Sequence, residues 1–116
     1  IIITHSYLKK SASYTTQGKA IFEKIVKANP NVFLVLCGHC RDISEKSVPL
    51  DDDGDGNPDR TVYAILSNFQ GSKAGGGGYM RILDFRDSDI YIYTYSPYYD
   101  SCEYPKGKTE ATVPLP

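Results

Sequence analysis

The chain has 116 residues and a formal net charge of −1, from 13 basic and 14 acidic side chains. A chain of this length accommodates one domain with a moderate hydrophobic core. Because the basic residues are scattered and no apolar run approaches the roughly 20 residues of a membrane span, the sequence predicts neither a nucleic-acid nor a membrane partner.

The first third of the chain predicts a strand–helix–strand unit. Ile1–Thr4 and Val32–Cys37 are β-branched, apolar runs without a polar face, which is typical of strands covered on both sides. Between them, apolar residues recur at helical spacing from Ala20 to Ala28, with Thr15 or Thr16 as the cap and Asn29-Pro30-Asn31 as the stop. Such a unit predicts two parallel neighbouring strands joined by a right-handed crossover.

The remainder predicts a β-rich half. Arg41–Arg60 is expected to be a long polar loop, and the tail from Pro97 an irregular segment with a frayed end. Three β runs lie between them, and the last two are expected to form a hairpin: Thr61–Ser67, Tyr79–Phe85 and Ile90–Tyr95. The core is expected to come from Ile2, Ile3, Ile21, Ile25, Val32, Leu34, Leu36, Val62, Ile65, Leu83 and Ile92.

The two histidines of the chain each follow one of the first two predicted strands. His5 comes directly after Thr4, and His39 comes two residues after Cys37. Parallel neighbouring strands would deliver both side chains to one edge of the sheet, where α/β proteins place their chemistry. We therefore expect the ring nitrogens to approach within about 3–4 Å, as two ligands of one metal do. The alternative is that one or both are core or rim histidines.

Thr4-His5-Ser6-Tyr7-Leu8 and Cys37-Gly38-His39 resemble motifs of the calcineurin-like metallophosphoesterase superfamily, most closely its bacterial secreted branch. His5 corresponds to the family's lone histidine after a strand, and Gly38-His39 to the start of its final G-H-x-H motif. The resemblance continues through Leu66–Gln70 and Gly77–Leu83 to Thr94–Pro97. It implies that residues 1–97 are the C-terminal portion of the catalytic domain, a partial αββα sandwich of the α/β class, followed by an irregular tail over 98–116.

The resemblance implies hydrolysis of phosphate mono- or diesters by a water that two divalent ions activate, with Zn, Fe, Mn or Ni as candidates. His5 and His39 would be metal ligands at that catalytic centre. Arg41 stands where the family has a second histidine, and a guanidinium cannot ligate a metal. Arg41 is therefore a candidate phosphate contact, or else a solvated loop residue.

The D-x-H, G-D and G-N-H-D/E motifs of the same family do not occur here, and the chain begins inside a predicted strand at Ile1. We expect a piece of a longer polypeptide that is inactive alone and pairs with its missing N-terminal half or with itself. The competing class is a non-catalytic or assembly-dependent α/β fragment. Ten tyrosines and no tryptophan weakly favour the outside or the cell envelope of a bacterium.

Cys37-Gly38-His39-Cys40 offers a different function, because C-G-H-C is a thiol–disulfide redox motif. That chemistry needs a helix N-terminus to lower the pKa of the first thiol, and the residues that follow predict a poor helix. A zinc cluster that adds Cys102 is a further alternative. The odd number of cysteines excludes a complete disulfide framework.

Two loops complete the candidate sites. Asp51, Asp53, Asp55 and Asp59 match an EF-hand-like calcium pattern in which Val62 replaces the final glutamate, so the loop is expected to bind Ca²⁺ or to form a solvated turn. The run of glycines over 75–78 lacks the Lys-Ser/Thr of a phosphate-binding loop. It is expected to be a flexible connection or a close backbone approach near the site.

Overall fold

A computed structural model describes residues 1–72, 74–104 and 110–116. The order of its elements is a strand, a helix that ends in a π-helical segment, and then six strands. Their bounds are β1 (Ile2–Thr4), α1 (Thr16–Ile21), the π-helical segment (Phe22–Val26), β2 (Leu34–Cys37), β3 (Asp42–Leu50), β4 (Arg60–Asn68), β5 (Met80–Phe85), β6 (Asp89–Tyr95) and β7 (Glu110–Pro114). A 3₁₀ turn occupies Ala74–Gly76.

The strands form two sheets, and the protein has a mixed α/β fold made mostly of strands. The first sheet has the order β1-β2-β4-β3, in which β1, β2 and β4 are parallel and β3 is antiparallel to β4. The second sheet has the order β5-β6-β7 and is antiparallel throughout. The predicted parallel pairing of the first two strands and the predicted hairpin of the last two β runs are both confirmed.

The central strands of the first sheet, β2 and β4, are covered on both faces, whereas Ile3 of the terminal strand β1 is exposed. On one face, Phe22 and Val26 pack in a cluster with Val35, Val62 and Leu66 of the sheet. On the other face, residues of the second sheet pack against the alternate positions of β2 and β4; the fully or nearly buried members are Leu34, Ile65, Ile90, Ile92 and Val113. An ion pair of 3.6 Å between Arg81 of β5 and Glu45 of β3 also joins the two sheets.

Helix α1 begins where Thr15 caps it. The Thr15 hydroxyl accepts a hydrogen bond of 2.9 Å from the Gly18 amide. The Thr15 amide donates to the Tyr7 carbonyl at 2.9 Å, which fastens the helix start to the loop after β1. Gly18 itself lies against Tyr7, where a Cβ atom would come within 2.0 Å of the Tyr7 carbonyl oxygen. A glycine is therefore required inside this helix despite its low helix propensity.

Arg60, the first residue of β4, joins three parts of the chain. Its guanidinium donates hydrogen bonds to the Val32 carbonyl at 2.8 Å and to the Val26 carbonyl at 3.2 Å. It also forms an ion pair with Asp52, and its side chain is 11% exposed. The end of the helical region, the approach to β2 and the acidic loop are thus held by one side chain.

Two expectations about irregular segments are wrong. The predicted polar loop Arg41–Arg60 contains β3, which pairs with β4 along its whole length from Asp42 to Leu50. Only the segment from 51 to 59 between these strands is irregular. The tail expected to be irregular over 98–116 contains β7, which extends the second sheet beside β6. Residues 105–109 of that tail lie outside the described residues.

Two members of the expected core are exposed instead. Ile3 is 81% exposed on β1, and Ile25 is 47% exposed on the π-helical segment. The helix buries Gly18, Phe22 and Val26, a row offset by one residue from the expected Ile21 and Ile25. The other expected core residues are buried or partly buried: Ile2, Ile21, Val32, Leu34, Leu36, Val62, Ile65, Leu83 and Ile92. Within the described parts of the chain, no helix has the length and apolar character to cross a membrane.

Candidate functional site

Three parallel strands end at one edge of the first sheet. Thr4 of β1 is paired with Cys37 of β2, which is paired with Leu66 of β4. The residues just beyond these positions therefore gather at the same edge, the place where open α/β sheets bind ligands. His5, His39 and Asn68 occupy it, one from each strand end.

The two histidines are in direct contact, 34 residues apart in the chain. His5 Nε2 and His39 Nδ1 are separated by 2.9 Å, and the ring centroids by 4.7 Å with an angle of 60° between the planes. Both side chains are exposed. Two nitrogens on one tetrahedral metal, with bonds near 2.0–2.1 Å, lie about 3.3–3.4 Å apart. The observed separation is a few tenths of an ångström shorter than that of two ligands on one metal, and metal binding would also require the rings to turn so that both lone pairs face the ion.

The backbone at His39 is held in an unusual conformation by its neighbours. Its φ angle is +61°, in the left-handed region that non-glycine residues seldom adopt. The Asn68 side-chain amide donates to the His39 carbonyl at 3.0 Å, and the Gly38 amide donates to the His5 carbonyl at 3.2 Å. Such local strain persists only where the surroundings fix it, and it is concentrated at functional sites. Asn68 is therefore a positioning residue of the pair.

A cleft of about 480 Å³ opens beside the histidines, within the size range of small-molecule sites. Its walls combine the two imidazoles, the end of β4, two aromatic rings and four glycines. The residues that line it are His5, Gly38, His39, Ser67, Asn68, Phe69, Gln70, Gly75, Gly76, Gly78 and Tyr79.

The backbone of the glycine-rich segment approaches the site closely. This is the second of the two alternatives expected from the sequence, the first being a flexible connection. Ala74, Gly75, Gly76, Gly77 and Gly78 all have positive φ angles, between 55° and 106°. A Cβ atom on Gly77 would lie 2.7 Å from the ring of Tyr99 and 2.9 Å from that of Tyr79. Glycine is the residue that reaches this backbone conformation without a steric cost, so the segment can pack its main chain against rings.

Arg41 does not take the position expected of a phosphate contact. It is exposed, and it is not among the described residues that line the cleft. Its aliphatic part lies beside Gly71, whose Cβ position would be 3.5 Å from Arg41 Cδ. The polar residues beside the histidines are instead Ser67, Asn68 and Gln70, which the sequence analysis did not select. The only available signal was their place at the end of a third predicted strand, whose parallel pairing with β2 the sequence did not reveal.

The cysteine motif lacks the setting of a redox site. Cys37 is buried at the end of β2, and burial raises the pKa of its thiol, whereas a redox-active thiol needs a lowered pKa. Strand β3 begins at Asp42, so the described residues that follow the motif do not start a helix there. Within the described residues, only three aspartates bring their ligand atoms close enough together to hold one metal ion. The side chains of Cys37, His39, Cys40 and Cys102 do not converge in this way.

The acidic loop brings together three of its four candidate ligands. Carboxylate oxygens of Asp51, Asp53 and Asp59 all lie within 4.8 Å of one another, and all three residues are exposed. Asp55 is outside this group and accepts hydrogen bonds from Asn57. The Asp51 carboxylate accepts hydrogen bonds from the amides of Gly56 and Gly54, which lower its pKa. Val62 is buried in β4, so the twelfth position of the pattern contributes no ligand.

The chain is similar to Uncharacterized protein YvnB of Bacillus subtilis (strain 168), with 46% identity over 100 residues. The match covers 84% of this chain and 8% of that protein, so the chain spans less than a tenth of the relative's length. No protein-family model matches the chain, and no solved structure gives a significant match. What the chain does must therefore be inferred from the geometry of the site.

Proposed function

We propose that this chain contributes one side of a metal-dependent centre that hydrolyses phosphate mono- or diesters. His5 and His39 supply imidazole ligands, and carboxylate ligands come from outside the chain. The observation that carries the proposal is the 2.9 Å approach of His5 Nε2 to His39 Nδ1 at the C-terminal edge of parallel strands. The resemblance of both motifs to the metallophosphoesterase superfamily supports the same chemistry.

The donor set fits a divalent transition metal. Two imidazole nitrogens point at each other on an exposed surface, and one of them must carry the proton that now lies between them. Imidazole suits Zn, Fe, Ni and Mn, and a metal would replace that proton. When bound, such ions lower the pKa of a coordinated water and polarise the phosphoryl group. Two histidines alone form an incomplete site, so the isolated chain should bind metal weakly and should not turn over substrate.

The protein's own residues orient the pair and border the space where a substrate lies. Asn68 holds the His39 carbonyl, which fixes the left-handed backbone that aims the ring at His5. The cleft of about 480 Å³ begins at the two imidazoles, so a phosphate at the histidines would extend its organic group into the cleft. Ser67 and Gln70 add polar groups at its border.

The first experiment measures metal binding by the chain itself. Zn²⁺ titration, followed by calorimetry and by the imidazole NMR signals, should show one weak site that His5→Gln and His39→Gln each remove. Asp53→Asn is the matched control, because it disrupts the acidic group while the histidines stay intact. Affinity that survives both histidine substitutions and is lost in Asp53→Asn would contradict the proposal.

The second experiment tests the reaction in a polypeptide that contains this chain together with the carboxylate ligands. With Mn²⁺ or Zn²⁺ it should hydrolyse 4-nitrophenyl phosphate or its diester, and His39→Gln should reduce kcat/KM by at least about a hundredfold. Cys40→Ser separates the alternatives, since it leaves phosphoesterase activity unchanged and would abolish a thiol–disulfide exchange. Full turnover in His39→Gln would overturn the assignment.

A further inference from the structure

An aromatic row runs from the histidine cleft to the protein surface. Phe69 and Tyr79 line the cleft, with ring centroids 5.8 Å apart. The row continues from Tyr79 to Tyr99 at 5.8 Å and from Tyr99 to Tyr98 at 4.8 Å. Exposure rises along it, from 9% at Phe69 to 46% at Tyr99 and 70% at Tyr98. A flat group in the cleft would therefore meet the rings of Phe69 and Tyr79, and the other two tyrosines support Tyr79 from the surface side.

The glycine segment shapes the cleft for such a group. Gly75, Gly76 and Gly78 line it without side chains, and a Cβ atom on Gly76 would lie 3.3 Å from the Phe69 carbonyl oxygen. On Gly75, nothing lies within 4 Å of the Cβ position, so that side is open space. Glycine main chain and aromatic rings therefore border the same cleft, and no side chain of the glycine segment fills it.

The polar and ionisable groups that line the cleft indicate which class of ligand it can bind. Apart from the two histidines, no ionisable acid or base other than the Tyr79 phenol occurs among the described residues that line it. The remaining polar groups are amides and a hydroxyl, from Asn68, Gln70 and Ser67. Neutral donors and acceptors around an aromatic surface recognise the edge of a planar, uncharged ring, and stacking binds its face.

We propose that this cleft selects phosphate esters whose organic group carries a planar aromatic ring, with Tyr79 as the principal specificity-determining residue. The inference rests on the proposed function for the position of the phosphate at the histidines, whereas the recognition of the ring rests on the cleft alone. Aryl phosphates and nucleotides share this ring chemistry, and the experiment distinguishes them.

The experiment compares ligands on the intact chain by protein-observed NMR, without metal. The ring-bearing probes are 4-nitrophenyl phosphate and adenosine 5′-monophosphate, and the ring-free probe is glycerol 2-phosphate. We expect at least one ring-bearing probe to bind about five- to tenfold more tightly than glycerol 2-phosphate, a difference of the size that one aromatic contact gives. Preference for one ring-bearing probe assigns the class as aryl or nucleoside.

Variants of Tyr79 test whether this residue causes the preference for ring-bearing phosphate esters. Tyr79→Leu should reduce the ratio to below about twofold, and Tyr79→Phe should retain it, which separates the loss of a ring from a general loss of folding. Tyr91→Leu is the matched control, because Tyr91 lies on β6 and does not line the cleft. Equal binding of all three probes, or an unchanged ratio in Tyr79→Leu, would overturn the inference. Zn²⁺ titration of the same samples reports separately on the histidine pair, so either proposal can fail while the other stands.

Discussion

The Asn68 side chain donates a hydrogen bond of 3.0 Å to the carbonyl of His39, a residue whose φ angle is +61°. This contact links the end of β4 to the loop after β2 and fixes the direction of one imidazole. Removal of the amide should release the strained backbone toward a more favourable conformation and separate the histidines. The effect should appear as a loss of metal affinity rather than of folding.

Asn68→Ala should weaken Zn²⁺ binding by about tenfold, the lower end of the effect of residues that orient metal ligands. Calorimetric titration of the purified chain measures it. Asn29→Ala is the matched control, since the Asn29 amide also donates to a backbone carbonyl, that of Ile25 at 2.7 Å, at the far end of the helical region. A comparable loss in both variants would show that Asn68 has no specific role.

Gly18→Ala should destabilise the protein by about 2 kcal/mol or more, although alanine is the better helix former. The reason is that the new Cβ atom would lie 2.0 Å from the Tyr7 carbonyl oxygen, so the helix must move away from the loop after β1. Urea unfolding measures the change. Gln17→Ala, an adjacent and exposed position of the same helix, should be neutral or slightly stabilising. Equal stabilities of the two variants would refute this packing argument.

The contribution of the acidic loop to the free energy of unfolding should decrease as the pH falls. Hydrogen bonds from Gly56 and Gly54 lower the pKa of Asp51 in the folded protein. The stabilisation is therefore present above the ordinary aspartate pKa of about 3.9 and is lost as the pH falls through the lowered folded value. Asp51→Asn should flatten the acid limb of a stability–pH curve, whereas Asp87→Asn in the β5–β6 turn should leave it unchanged.

In the same loop, Asp51, Asp53 and Asp59 would be the residues that hold the Ca²⁺ expected from its sequence pattern. Added Ca²⁺ should raise the unfolding temperature in proportion to the logarithm of its concentration above the Kd. Asp53→Asn should abolish the increase, and Asp55→Asn should reduce it less, because Asp55 lies outside the group of converging oxygens. An increase that is identical in wild type and Asp53→Asn would exclude this loop as the site.

The exposed side of β1 should drive association. Ile3 is 81% exposed on a strand that forms one end of the first sheet, and uncovered strands of this kind pair with other chains. We expect the chain to self-associate at micromolar concentrations in sedimentation experiments. Ile3→Lys should shift it toward the monomer, since a charge on such a strand blocks pairing. Ile25→Lys, at the exposed isoleucine of the helical region, should have a much smaller effect.

The sequence predicted those parts of the fold in which a local pattern, such as an apolar run, determines the secondary structure. Apolar runs predicted β1 and β2 as parallel neighbours, and this alone brought His5 and His39 together. The cover expected on both sides of β1 is wrong, because Ile3 is exposed. β3 was missed because its residues are those that mark the edge of a sheet: Ser44, Glu45, Lys46, Ser47 and Pro49 blunt such strands and hide their alternation. Its existence depends on pairing with β4, which no local pattern reports.

The helix shows a second reason for failure. Its apolar residues predict Ile21 and Ile25 in the core, but the change to π-helical geometry after Ile21 and the contact of Gly18 with Tyr7 select a different row. The site residue Asn68 was missed for a related reason. Its strand was predicted, yet its membership in the parallel set depends on the register between β2 and β4.

One wall of the cleft consists of glycine main chain, and this has a consequence for how mutational data from the site will look. Deletion of side chains cannot remove a wall that has none, so substitutions at Gly76 or Gly78 act by adding bulk and by straining a backbone whose φ angles are +106° and +65°. At Tyr79, by contrast, truncation removes side-chain volume from the lining of the cleft. An alanine scan would thus record similar losses of ligand affinity at neighbouring positions for volume changes of opposite sign.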